Sequence, residues 1–198
     1  MTPSRSKPIG ASHLMREMDK DPEVQAARAK LQAEMDIRSA EWRKAELPLA
    51  KELQAAGYDV DSAWDLKQNY ETYDSALPIL VDHLDRDYPD RVREGIARAL
   101  SVRKAQKWWP ELKRHYIEAT LPDAKTGLAQ ALMRTSTPDT ADELVPLIAD
   151  ESNGGSRTLL LSSLKKSRSP ETRRFLEDLR SHPTLHQEAK RIVDGKRY

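Results

Sequence analysis

Cysteine is absent from all 198 residues. That excludes disulfides, thiolate zinc sites and cysteine nucleophiles, and it fits a reducing compartment. Aromatic residues make up only 6% of the chain, with a single Phe. Runs of β-branched residues are scarce, which argues against a large sheet. Long apolar runs are missing as well. The longest, such as ALPILV at residues 76–81, fall far short of the roughly 20 residues a membrane span requires. The opening MTPSRSKPIGASHLMREMDK has no apolar core of the kind a secretion signal needs. The expectation is a cytoplasmic protein with no membrane partner.

What the chain has in abundance is charge. Asp, Glu, Lys and Arg make up 33% of it, yet the net charge is only +1. The signs are unevenly spread. Residues 58–89 carry two Lys/Arg against eight Asp/Glu, a net of −6, and residues 90–198 carry 21 against 15, a net of +6. A basic C-terminal half behind an acidic middle can steer a partner, or let the two parts attract each other.

Along the chain, residues 1–20 mix Pro, Ser, Gly and charge and are expected to be a flexible tail. Asp21-Pro22-Glu23 is a helix start, with a capping acid and Pro at the first helical position. A long helix follows, with a loose apolar stripe at Ala27, Leu31, Met35, Ala40 and Trp42. Pro48 is expected to kink or break it, and Gly57 to end it. Asp61 is expected to cap a short helix through Trp64 and Leu66. Residues 21–71 thus read as a helical arm or cap.

Beyond residue 71 the sequence repeats. VREGIARAL at Val92–Leu100 aligns with AKTGLAQAL at Ala124–Leu132 and more loosely with SRTLLLSSL at Ser156–Leu164, each 32 residues on. The preceding segments agree: ALPIL holds Pro78, WWPEL holds Pro110 and LVPLI holds Pro146. Each unit reads as two helices joined by a short loop, with a proline inside the first. A fourth, atypical pair, SPETRRFLEDLRSH and LHQEAKRIVDGK, reads as a capping unit. Units of this length bury their faces only by stacking.

The proline-bearing first helix and the Val-Arg-x-x-Ile/Ala-x-x-Ala-Leu second helix resemble the HEAT-repeat family, over about residues 72–198. The resemblance implies an all-α fold, a short right-handed α-solenoid of about four helical hairpins whose second helices line a concave face. It implies a binding scaffold and says little about chemistry.

Two sets of residues are candidates for partner binding. The first is basic. Arg93, Lys125 and Arg157 occupy one register of the repeat, so they recur about one helix spacing apart, roughly 8–10 Å. Arg98, Arg134 and Lys165 lie near the same helices. Such a stripe suits phosphates or an acidic protein surface. The competing reading of the three ladder residues, taken from HEAT-like units, is structural: each bonds an acidic loop residue, Asp90 and Asp123 being at hand. The second set is aromatic. In KWWPELKRHY, one of Trp108 and Trp109 belongs to the core and the other is partly exposed, where it can anchor a partner.

No metal, cofactor or catalytic residue is expected. His83 and His115 are 32 apart, too far in a stacked array for ligands that must each lie about 2 Å from zinc. DHLDRDYPD lacks the glycine of a calcium loop, SNGGS lacks the Lys-Ser/Thr of a phosphate loop, and no serine-elbow or kinase signature occurs. The leading expectation is a non-enzymatic repeat protein that binds another macromolecule, foremost a protein, as an adaptor, regulator or immunity-type inhibitor. The alternative is a nucleic-acid-binding solenoid using the basic face of residues 90–198.

Overall fold

The computed structural model describes residues 21–195. The tail expected over residues 1–20 lies outside the described residues. Among the described residues there are ten α-helices, five short 3-10 segments and no strand. The helices are α1 (Pro22–Ala55), α2 (Ala63–Asn69), α3 (Ala76–Leu84), α4 (Asp90–Ala99), α5 (Trp109–Glu118), α6 (Pro122–Thr135), α7 (Val145–Ala149), α8 (Ser156–Leu161), α9 (Pro170–Asp178) and α10 (His186–Val193).

The chain divides into two compact units, residues 1–42 and 43–198. In the first, residues 21–42 form a helix that Asp21 opens, its Oδ1 accepting from Glu23 N at 2.9 Å. Leu31, Met35 and Ile37 are exposed there, and of the expected stripe only Trp42 is partly covered. The second unit begins at Arg43, well before the array expected from residue 72. The reason is burial: Leu49, Leu53 and Leu66, from the end of α1 and from α2, are fully enclosed.

Helix α1 runs on through Pro48 without the break that was one of two outcomes expected there. Both Pro48 and Lys44, whose carbonyl loses its usual partner, are exposed, which leaves that carbonyl to solvent. Gly57 follows the helix at φ +93°, a conformation open to glycine. The cap of α2 is Ser62 rather than Asp61, its hydroxyl accepting from Trp64 N. Buried Glu46 completes this end, accepting from Ala63 N at 2.7 Å and Ser62 Oγ at 2.9 Å. Burial raises the pKa of this carboxyl, and the two donors work against that rise.

Burial follows the 32-residue spacing of the sequence. Ile96, Leu128 and Leu160 are equivalent by the 32-residue offset, as are Leu100, Leu132 and Leu164, and all six are buried. So are Leu80, Leu112 and Ile148, each two residues after its unit's proline. Enclosing a Leu or Ile contributes about 1.5–3 kcal/mol, so the periodic positions supply the core. Each proline falls within its unit's first helix, as expected, and near its start. Pro78, Pro110 and Pro146 lie in the first turns of α3, α5 and α7. An N–H there has no intrahelical acceptor, so its loss is harmless.

The second helices form a packed row, α2 on α4, α4 on α6 and α6 on α8. Two glycines allow it. A Cβ on Gly127 would stand 2.8 Å from Glu94 O, and one on Gly95 would stand 2.4 Å from the Trp64 indole nitrogen. Helix α6 is capped from outside at both ends. Asp90, opening α4, accepts from Asp123 N at 3.0 Å and Ala124 N at 2.8 Å. Lys166, following α8, donates to Met133 O, Ser136 O and Ser136 Oγ at 2.7–3.1 Å. An acid sits at the positive end of the helix dipole and a cation at the negative end. Ser169 caps α9, and α9 packs on α10. His182 stands before α10 and accepts from Leu185 N through Nδ1, so it does not share a helix face with His186.

Candidate binding surface

The three ladder residues turn their donors toward their own hairpins. Arg93 Nη2 bonds Arg86 O at 3.3 Å and reaches Asp87 at 3.5 Å. Lys125 Nζ bonds Ala119 O at 2.9 Å and lies 5.1 Å from the Tyr116 ring. Arg157, buried, bonds Gly154 O and Ile148 O, both at 3.2 Å. Each ties a second helix to the loop before it. The acceptors are mainly backbone carbonyls; of the two expected acids, Asp90 caps α6 instead.

Arg98 is also engaged. Its Nε bonds Glu94 at 2.7 Å, its Nη1 bonds Gln130 at 2.9 Å, and its guanidinium lies 5.5 Å from the Trp64 ring centre. Arg91 pairs with the same buried Glu94 and stacks on the same ring at 4.2 Å. Of the two adjacent tryptophans, Trp109 is the core residue, 6% exposed, with its indole N–H on Glu143 at 3.2 Å. Lys113 pairs with that carboxylate and holds it below the usual range. Trp108 is half-buried, with Lys107 Nζ 4.1 Å from its ring centre.

The remaining two candidates, Arg134 and Lys165, meet in one cleft. It has a volume of about 630 Å³ and lies between the end of α6 and the segment after α8. Arg103, Arg134, Lys165 and Lys166 line it, with the hydroxyls of Ser136, Thr137, Ser162 and Ser163. A second cleft of about 440 Å³ adjoins it and shares Lys165, adding Arg168 and Arg173 beside Leu164, Leu176, Ile192 and Val193. Neither lining contains a carboxylate or an aromatic ring. The side chains of Arg103, Arg134, Lys165, Arg168 and Arg173 make no hydrogen bond or ion pair among the described residues. The crowding of like charge is felt by Lys166, whose pKa is lowered first by burial and then by Lys165, Arg103 and Arg134. Arg103 and Arg173 carry no sequence signal. Lys166 does, standing 32 residues after Arg134.

Three histidines meet carboxylates, the loosest being His182, whose Nε2 lies 3.7 Å from Glu151. His83 is fully buried, its Nε2 3.1 Å from Glu52 and its Nδ1 2.7 Å from Tyr88 OH. Burial lowers its pKa, with Glu52 opposing. Glu52, Asp82 and His83 come together closely enough for a metal ion. Arg86 already bonds both carboxylates, at 2.9 and 2.6 Å, and supplies the positive charge there. His115 Nε2 lies 3.4 Å from Asp85 in a cleft of about 160 Å³, where Arg114 bonds the same carboxylate at 2.8 Å. That lining offers no Ser, Thr or Cys nucleophile, and its volume is below the roughly 300 Å³ at which ligand pockets begin.

The described residues form an all-helical fold that carries a basic groove. No family model, curated protein or solved structure matches the chain.

Proposed function

We propose that this chain is a non-enzymatic, HEAT-like α-solenoid, short and right-handed, which binds an acidic segment of a protein partner in the cytoplasm. The observation that carries the reading is the pair of adjoining clefts that share Lys165, with six cations on their linings against two nearby carboxylates, Asp142 and Glu171, which bond hydroxyls of the smaller cleft. Cations left unpaired repel one another, and an anionic partner relieves that repulsion. The apolar walls at Leu164, Leu176, Ile192 and Val193 suit side chains interleaved with the acids. The absence of aromatic rings from both linings disfavours single-stranded nucleic acid, which gains much of its affinity by stacking.

The test is fluorescence anisotropy with a labelled peptide in which Glu alternates with Leu. Lys165→Glu, which reverses charge in both clefts, is expected to weaken binding more than tenfold, and Arg134→Glu about tenfold. Unchanged affinity in Lys165→Glu, with loss in Trp108→Ala, would move the site to the tryptophan. The nucleic-acid alternative uses the same cations. It requires affinity for a DNA duplex to fall by orders of magnitude as salt rises from about 50 to 200 mM.

A further inference from the structure

We propose that the larger cleft is a phosphomonoester site, so that the segment it accepts is a phosphorylated one. The inference rests on reading these clefts as the partner site and names the chemistry within it. Three features set this cleft apart from a merely basic patch.

The first is the set of free donors. Arg103 comes from the segment after α4, Arg134 from the last turn of α6 and Lys165 from the segment after α8, and none is paired among the described residues. Three cations from three separate elements surround a volume, where a helix face would present them in a line. A phosphomonoester carries a charge of about −1.5 to −2 and three acceptor oxygens, which this arrangement matches.

The second is Lys166. The last turn of α6 would otherwise point bare carbonyls at any anion in the cleft. Lys166 spends its three N–H donors on Met133 O, Ser136 O and Ser136 Oγ, masking those oxygens. The negative helix end is neutralised by a residue whose donors are already engaged.

The third is Ser163. Ser163 is a lining residue of the cleft, is 1% exposed and carries a buried hydroxyl with no partner in the protein. A buried hydroxyl without a partner is destabilising. Rotation about χ1 carries the O–H between staggered positions, and a phosphate oxygen gives it an acceptor. The neighbouring Ser162 and Ser136 hydroxyls are already donated to carbonyls, so Ser163 is the one left over.

The test is titration of the full chain with inorganic phosphate, followed by amide NMR shifts. Saturable shifts are expected in residues 133–137 and 162–166, with none from the same concentrations of chloride. Affinity is expected to rise as pH increases through the second ionisation of inorganic phosphate, close to neutral pH, because the dianion is the stronger acceptor. Arg134→Gln is expected to weaken binding about tenfold and Ser163→Ala about fivefold. Ser163→Ala also guards against misfolding, because removing an unpaired hydroxyl does not destabilise the fold. A Ser163→Ala protein that binds phosphate as the parent does would remove the hydroxyl from the site. Absence of a saturable response would overturn the proposal.

A Glu-rich peptide with and without one phosphoserine separates the two readings. If the plain peptide binds and phosphoserine adds nothing, the phosphate site falls and the acidic partner stands. If phosphate saturates the cleft and neither peptide binds, the phosphate site stands and the protein partner falls. A DNA duplex that displaces phosphate with steep salt dependence assigns the cations to a nucleic-acid backbone and overturns the proposal.

Discussion

Replacing Gly127 with alanine places a methyl carbon 2.8 Å from the backbone oxygen of Glu94 and 3.0 Å from Ala97 Cβ. Carbon contacts settle at about 3.5–4.0 Å, so α4 and α6 must separate by roughly half an ångström or more. Neither neighbour can turn aside, one being backbone and the other a Cβ. Overpacking of this kind typically destabilises by about 1–3 kcal/mol. Alanine also returns up to about 1 kcal/mol of helix propensity. The net loss is about 1–2 kcal/mol, which for a chain of this size lowers the melting temperature by roughly 2–8 °C. Thermal unfolding followed by far-UV circular dichroism measures it. Gly95→Ala is the informative companion. Its Cβ meets the Trp64 indole, a side chain able to swing away at the expense of its stacking with Arg91 and Arg98. Gly95→Ala should therefore change tryptophan fluorescence and Gly127→Ala should not. A Gly127→Ala protein that melts higher than its parent would refute the close approach of α4 and α6.

Other expectations follow from single contacts. Asp90→Ala leaves two N–H groups at the start of α6 without their acceptor. It should lower stability by about 1–2 kcal/mol in urea titrations, and an unaltered midpoint would deny the cap. Burial holds the His83 and His115 imidazoles below the ordinary histidine range. The unfolded chain protonates both near pH 6.5 while the folded chain resists, so stability is full above that pH and declines as pH falls below it. The urea midpoint should drop from about pH 7.5 to 5.5, and His83→Gln with His115→Gln should flatten the drop; an equal slope in the double variant would rule the histidines out. Trp109→Ala should destabilise by about 3–5 kcal/mol, against less than about 1 kcal/mol for half-exposed Trp108→Ala. Similar melting temperatures for the two would contradict the assignment of Trp109 to the core.

The 32-residue register was legible because burial obeys it. Ile96, Leu128 and Leu160 are apolar at equal spacing, and a pattern of that kind survives in sequence. The use of the basic residues was not legible in the same way. Arg93, Lys125 and Arg157 bond carbonyls at offsets of seven, six, three and nine residues, set by loops of different shape. Carbonyls have no residue identity, so no motif announces them. The basic clefts are assembled from the ends of α6 and α8 and the segment after α4. Arg103 and Arg173 enter by tertiary position alone, whereas Arg134 and Lys165 could be proposed from their neighbours in sequence. Pro48 does not break its helix, for a related reason. A missing hydrogen bond matters little where the orphaned carbonyl faces water.

Helix α6 owns neither of its ends. Its first turn is completed by an acid from the hairpin before it and its last by a lysine from the hairpin after it. The hairpins are therefore not independent beads. Truncation after α7 would remove Lys166 and fray a helix in the preceding hairpin, so damage at the C-terminal end spreads inward. Denaturation of the second unit is expected to occur as one sharp transition, with no plateau at which one hairpin has melted and its neighbour survives.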